Sequence, residues 1–200
     1  MHSHQGSPYD DVSPEMMGDR YNSADQVWSG NPNQALLRHF SDVKATGTAL
    51  DIGCGEGADV VWLAKQGFQV TGIDFAPTAV ARTKELVDAN SLSAEVLDVS
   101  FTEFAIESGR QFDLVTCSYG QIPANETSLA QLESLVAPGG TLFVTHHDFE
   151  SETMMTTRWL GSHLSSDFAV EVLDVFDRDL KTGAGAHHHV DIVLLAVKAK

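Results

Sequence analysis

The sequence predicts an α/β protein built on a doubly wound sheet of seven strands, mostly parallel with one antiparallel strand, and with helices on both faces. Three observations predict it. Short apolar runs alternate with helix-patterned segments at the spacing of βα units. The run "FDLVTCS" (112–118) is almost continuously apolar, as a strand covered on both faces should be. The chain ends in two strand-like runs, 168–176 and 190–198, whose connection has hairpin character and adds the antiparallel strand.

Taken in order, "NPNQALLRHF" (31–40) reads as a helix with Asn31 as N-cap and Pro32 in its first position. "TALDI" (48–52) is a buried strand. A short helix over 58–66 stops at Gly67. "FQVTGID" (68–74) is the second strand, and Pro77 opens a helix that buries Ala79, Val80, Thr83, Leu86 and Val87 and ends near Asn90. "AEVLDV" (94–99) and 112–118 are the third and fourth strands. Leu129, Leu132, Leu135 and Val136 repeat at helical spacing within 126–137. "PGG" (138–140) turns into a fifth strand, 141–147, and a helix is expected near 151–162 before the terminal pair.

The 200 residues suffice for one sizeable core, and 42% hydrophobic with 20% charged residues is ordinary globular composition. The net charge of −16, from 12 Lys and Arg against 28 Asp and Glu, argues against nucleic acid and anionic membranes as partners, since both are held by basic clusters. Two cysteines, Cys54 and Cys117, form no disulfide framework and suit a reducing cytoplasm. No apolar run approaches the roughly 20 residues that span a bilayer. The polar N-terminus lacks a signal-peptide hydrophobic region.

The stretch "LDIGCGEG" (50–57) places three glycines at alternate positions between a strand and a helix. Glycine weakens both elements, so the loop must bring bare backbone close to something. In doubly wound sheets this is where ligands bind. Gly53, Gly55 and Ala58 satisfy a dinucleotide fingerprint, and an NAD-dependent oxidoreductase is one reading. Asp51 and Glu56 oppose it, because a pyrophosphate would face negative charge, whereas a ligand with a cationic amino-acid tail would be well served.

"ALDIGCGEG", the acid Asp74 after the second strand, Asp98 after the third and "PGG" before the fifth together resemble the class I S-adenosylmethionine-dependent methyltransferases, a Rossmann-like family. The resemblance covers about residues 46 to 147 and the terminal hairpin. It implies that Asp51 and the backbone of Gly53, Cys54 and Gly55 hold the methionine end. It implies that Asp74 takes the ribose hydroxyls, Phe75 packs beside adenine, Asp98 takes the adenine amino group, and the Val99 amide meets the ring edge. Cys117 and Ser118 would lie under the methionine portion. Asp51 and Asp98 have alternative roles as local caps, an acid at the position of Asp74 occurs in many Rossmann sheets and does not separate the two cofactors, and Cys117 has an alternative role in the core. On this reading Asp74→Ala weakens cofactor binding at least about tenfold without altering the melting temperature of the empty protein.

The segment 19–33 resembles the lid of small bacterial tellurite-resistance and thiopurine-type methyltransferases. It offers Trp28 as a cover for the cofactor, with packing of the first helix as the alternative, and Arg20 as an attractor of an anionic acceptor, with a surface salt bridge as the alternative. Candidate catalytic residues are His146, one of a strand-end pair of which at most one should face the pocket, and Tyr119. No metal site is expected: His187, His188 and His189 are adjacent and read as a solvated loop. The expected organisation is a flexible arm (1–18) and one methyltransferase domain (19–200), divided into a lid and helix (19–45), a cofactor-binding core (46–147) and C-terminal strands (148–200). The implied activity is cytoplasmic methyl transfer to a small-molecule acceptor, with a non-catalytic cofactor-binding scaffold as a further alternative. Oligomeric state stays open, the terminal hairpin and the first helix being surfaces able to mediate a homodimer.

Overall fold

A computed structural model describes residues 14–41, 46–179, 181–183 and 187–200. Among them, seven strands form one sheet in the order β3-β2-β1-β4-β5-β7-β6: β1 (Thr48–Ile52), β2 (Gln69–Asp74), β3 (Ala94–Asp98), β4 (Phe112–Ser118), β5 (Val136–His147), β6 (Phe168–Asp177) and β7 (Val190–Lys198). β1 pairs in parallel with both β2 and β4, and β7 runs antiparallel to both β5 and β6. The predicted doubly wound sheet with one antiparallel strand is therefore the observed one.

Successive strand residues point to opposite faces, which divides the core in two. Leu50, Val115, Leu142 and Leu194 pack on one face beneath α5 (Phe101–Glu107), α6 (Glu126–Ser134) and α7 (Thr157–His163). Ala49, Leu114, Phe143 and Val193 pack on the other beneath α2 (Gln34–Phe40), α3 (Ala58–Gln66) and α4 (Pro77–Ala89). Burial of side chains such as Leu50 and Phe143, both 0% exposed, stabilises the fold by roughly 1.5–3 kcal/mol each. Strand order reverses between β1 and β4, so the cleft above their carboxyl ends is where a ligand is expected.

Several expectations are corrected. The cap of α2 is Asn33, whose side chain accepts the amides of Ala35 and Leu36, so Asn31 and Pro32 precede the helix. α5 has no counterpart in the sequence reading, although Ser100 and Glu103 form a capping box that announces it. α6 stops at Ser134 because Val136 already pairs with Phe112. α7 occupies only the last part of 151–162. Most of the predicted arm, residues 1–13, lies outside the described residues, but 14–18 belong to α1 (Pro14–Asn22), which packs on α4. Among the described residues no helix is long and apolar enough to cross a membrane.

Candidate functional site

A cavity of about 530 Å³ opens above the carboxyl ends of β1 and β4, within the size range of small-molecule sites. The glycine loop forms its floor. Gly53, Gly55 and Gly57 have φ of 71°, 54° and 84°, in the left-handed region where a side chain is strained. Two of them also have close neighbours. A Cβ on Gly57 would come within 2.7 Å of Thr83, and one on Gly55 within 3.3 Å of the Tyr21 hydroxyl and 3.5 Å of the Trp28 indole nitrogen. At Gly53 the nearest such atom is 3.8 Å away, so this glycine leaves room against the cavity.

The lid is the segment after α1. Trp28 donates its indole N–H to Tyr21 Oη at 3.0 Å, and the two rings meet edge to face. Glu56 holds this segment down: its carboxylate accepts the amides of Val27 and Trp28 and pairs with Arg82 at 2.7 Å. Arg82 also donates to the carbonyls of Tyr21 and Ala24. The charge of Glu56 is thus compensated, and the sequence argument that sets Glu56 against a pyrophosphate does not hold for this residue.

Three other carboxylates take its place. Asp51 is 2% exposed and accepts the Thr116 hydroxyl at 2.8 Å. Burial, and then the nearby charge of Asp59, push its carboxyl well above the ordinary range. Asp59, on the first turn of α3, is also raised by burial, although it accepts the Asn33 amide at 2.6 Å and the Ser118 hydroxyl at 3.0 Å. Asp74 accepts the amides of Gly55 and Ala76, each at 2.9 Å, and burial raises it as well. Among the described residues none of the three is ion-paired. Burial disfavours charge on three acids that lack a cation, and a cationic ligand supplies the missing counter-charge. Asp59 escapes the sequence reading because its helical position looks like that of a first-turn acid stabilising the helix.

Trp28, Asp51, Gly53, Cys54, Gly55, Asp74, Phe75, Ser118, Tyr119 and His146 all border the cavity. Asp98, Val99 and Cys117 do not. Asp98 is exposed beside Asp74 in the β2–β3 register, and the Val99 amide is engaged with the Asp74 carbonyl at 3.1 Å. Cys117 points into the core with its sulfur against Gly120, and burial pushes its thiol up to about 12. Arg20 borders the cavity and lies 5.7 Å from the Trp28 ring centroid.

The far wall carries a polar cluster. Asp191 on β7 is 1% exposed. It accepts the Tyr119 hydroxyl at 2.6 Å, meets His147 Nδ1 at 2.9 Å and pairs with Arg178 Nε at 3.1 Å. Asn33 donates to Tyr119 Oη at 3.2 Å. Tyr119 is held at φ 60°, an uncommon conformation for a side-chain-bearing residue and one that concentrates at functional sites. Both His146 and His147 border the cavity, against the expectation of one, because the cavity wraps around the tip of β5. Burial and the neighbouring His147 push His146 down to about 3, and its Nδ1 accepts the His147 amide, so the neutral ring carries its proton on Nε2. Burial, then the charge of Asp191, drives Tyr119 far up, which keeps it a donor. Neither sequence candidate is therefore suited to be a base. His188 stacks on His147 at 3.8 Å, and both it and the exposed His187 border the cavity, so these two belong to the site rather than to a solvated loop, whereas His189 is exposed and does not border it. Residues 184–186 lie outside the described residues. No group able to hold a metal ion occurs among the described residues.

Comparison with known proteins agrees with this arrangement. A sequence family described as a methyltransferase domain matches residues 49–140. The chain is 35% identical, over 102 residues, to a ubiquinone biosynthesis O-methyltransferase of Pseudomonas paraeruginosa, an alignment covering 49% of this chain and 43% of that protein. It spans about half the length of the curated relatives it matches. A structure solved in work on the conversion of a disulfide bond into a thioacetal group during echinomycin biosynthesis superposes with a TM-score of 0.75. The alignment covers 94% of this chain and 93% of that one at 17% identity. The magnesium protoporphyrin IX methyltransferase of Synechocystis PCC 6803, with bound S-adenosylmethionine, gives 0.59 at 16% identity, covering 96% and 88%. At these identities the structural likeness speaks for the fold alone. Residues 49–140 thus match a methyltransferase domain, and the glycine loop and strand order give the chain the fold of the class I S-adenosylmethionine-dependent methyltransferases.

Proposed function

We propose that the protein transfers a methyl group from S-adenosylmethionine to a small-molecule acceptor in the cytoplasm. The observation that carries this reading is the set of three buried, unpaired carboxylates, Asp51, Asp59 and Asp74, around a glycine loop that admits bare backbone. An ammonium and a sulfonium offset such charge, while a pyrophosphate would add to it. The same observation disfavours the NAD-dependent alternative.

When bound, the cofactor supplies a methyl carbon activated by a sulfonium. This chain binds, orients and excludes water. Asp51, Asp59 and the backbone of Gly53 to Gly55 hold the cationic end. Asp74 has acceptor capacity on both oxygens beyond its two amide bonds and holds the ribose hydroxyls. Phe75 flanks the base, and the Trp28–Tyr21 pair covers the site, fixed by Glu56 and Arg82. The acceptor enters against Tyr119, His147 and Arg178. The relative named as an O-methyltransferase supports oxygen as the accepting atom, and the −16 charge supports a small acceptor over nucleic acid. Mass spectrometry of the purified protein tests the cofactor assignment. Co-purified S-adenosylmethionine or S-adenosylhomocysteine is the expected result, and a co-purified nicotinamide dinucleotide would overturn it. Conversion of a metabolite pool to methylated product separates the enzyme from a binding scaffold.

A further inference from the structure

We infer that His147 is the base that removes a proton from the acceptor, that Asp191 positions it, and that the acceptor is a planar compound bearing a weakly acidic aromatic or enolic hydroxyl. The inference rests on the methyl-transfer reading and deepens it.

The geometry of the far wall carries it. His147 Nδ1 lies 2.9 Å from Asp191 Oδ1, and Asp191 is fixed on its other oxygen by Tyr119 at 2.6 Å and Arg178 at 3.1 Å. A carboxylate held on three sides has no freedom to follow the ring, so the ring must follow the carboxylate. With the Nδ1 proton directed to Asp191, the neutral His147 ring carries its basic lone pair on Nε2. The groups facing this ring include Asp191 from β7, Arg178 beyond β6, whose Nη1 lies 3.5 Å from the same Nδ1, Tyr119 beyond β4, His146 on β5 and His188 before β7. Asp191 is the anion in direct contact with Nδ1, and it stabilises the imidazolium that proton uptake would create.

The chemistry of the acceptor follows from what a base is for. An aryl thiol or a metalloid anion is largely ionised near neutral pH and needs none, whereas an oxygen bearing a proton does. The acceptor O–H bond breaks, its electron pair stays on oxygen, and the proton forms the new N–H bond at His147 Nε2. After product leaves, the proton returns to water. Planarity is suggested by the lining, since the aromatic rings of Trp28, Tyr119, His147 and His188 all border the cavity. Ring surfaces of this kind pack against flat π-systems.

The test uses the full chain saturated with S-adenosylhomocysteine, so that no turnover occurs, and 4-nitrophenol, whose ionised form is coloured. Below the pH at which the free probe ionises, the wild-type protein should bind it as the coloured anion. His147→Gln should bind S-adenosylhomocysteine unchanged and lose the coloured form. Asp191→Asn should move the pH at which the colour appears. In turnover with S-adenosylmethionine, His147→Gln should lower kcat on phenols about 100-fold or more, a far larger loss than on thiophenol. The proposal is overturned if the probe binds with its proton on, if it does not bind, if His147→Gln ionises it equally well, or if phenol and thiophenol rates fall together. Failure of the wild type to bind S-adenosylhomocysteine would instead overturn the methyltransferase reading itself.

Discussion

Glu56 Oε2 lies 2.8 Å from the backbone nitrogen of Trp28, joining the middle of the glycine loop to a segment 28 residues earlier in the chain. With Val27 on the same carboxylate and Arg82 paired to it at 2.7 Å, the clasp holds the lid in place through the backbone rather than through Trp28's own ring. Arg82→Ala should therefore loosen the lid without touching the cavity floor. We expect S-adenosylhomocysteine affinity to fall about tenfold, matching the loss of one or two charge-assisted hydrogen bonds. Trp28 fluorescence should shift to longer wavelength as the indole meets water. Unchanged affinity with unchanged emission would show that the clasp does not hold the lid.

Asp74→Ala should weaken cofactor binding at least about tenfold. The structure alters the other half of the sequence-based expectation. Removing the carboxylate leaves the Gly55 and Ala76 amides without acceptors in a buried site, which costs about 1–3 kcal/mol each. The melting temperature of the empty protein should fall too. Calorimetric titration and thermal denaturation of the same variant check both halves.

The acids of the floor make stability pH-dependent. Burial raises Asp59 above its ordinary 3.8 in the folded state. A group with a raised folded pKa binds its proton more tightly when folded. Its contribution therefore opposes folding progressively as pH rises from the unfolded value through the folded one. Asp59→Asn removes that contribution and can still serve the Asn33 amide and Ser118 hydroxyl. As pH rises from about 4, the melting temperature of the empty variant should decline less steeply than that of the wild type. An equal slope would show that Asp59 does not titrate in this window.

Gly55→Ala places a methyl group where φ is 54° and the Tyr21 hydroxyl is 3.3 Å away. Strain of about 1–2 kcal/mol is expected from the backbone alone, with a further displacement of the Tyr21–Trp28 pair. Affinity for S-adenosylhomocysteine should fall with stability. A variant as tight and as stable as wild type would show that neither the backbone conformation nor the lid requires glycine at this position.

The fold is legible in the sequence because its signals are local. The alternation of apolar runs and caps marks each buried strand, and the glycine loop marks the switch point. Asp51, Gly53, Gly55, Asp74 and Trp28 reach the cavity as expected because a strand end or a loop fixes where such residues go. What stays hidden is what only tertiary pairing creates. Nothing near position 191 in the sequence tells that its carboxylate meets Tyr119, His147 and Arg178, which come from three other strand ends. The same holds for His146 and His147, neighbours in sequence that differ only in which face of β5 they leave. Glu56 reads as facing a ligand because its partners, Val27, Trp28 and Arg82, are far away in sequence. Cys117 lies near a strand end, the usual place of a cofactor contact, yet period-two alternation turns it into the core.

The central claim is that Asp51, Asp59 and Asp74 form a floor of buried carboxyls without a cationic partner, which a cationic adenosyl ligand holds ionised. Calorimetry with S-adenosylmethionine in buffers of different ionisation enthalpy tests it most directly, because a cation reaching carboxyls with raised pKa values must drive protons off them. The expected result is micromolar binding with net proton release, and no binding of NADH. Binding of NADH in place of S-adenosylmethionine, or tight S-adenosylmethionine binding with proton uptake, would contradict it.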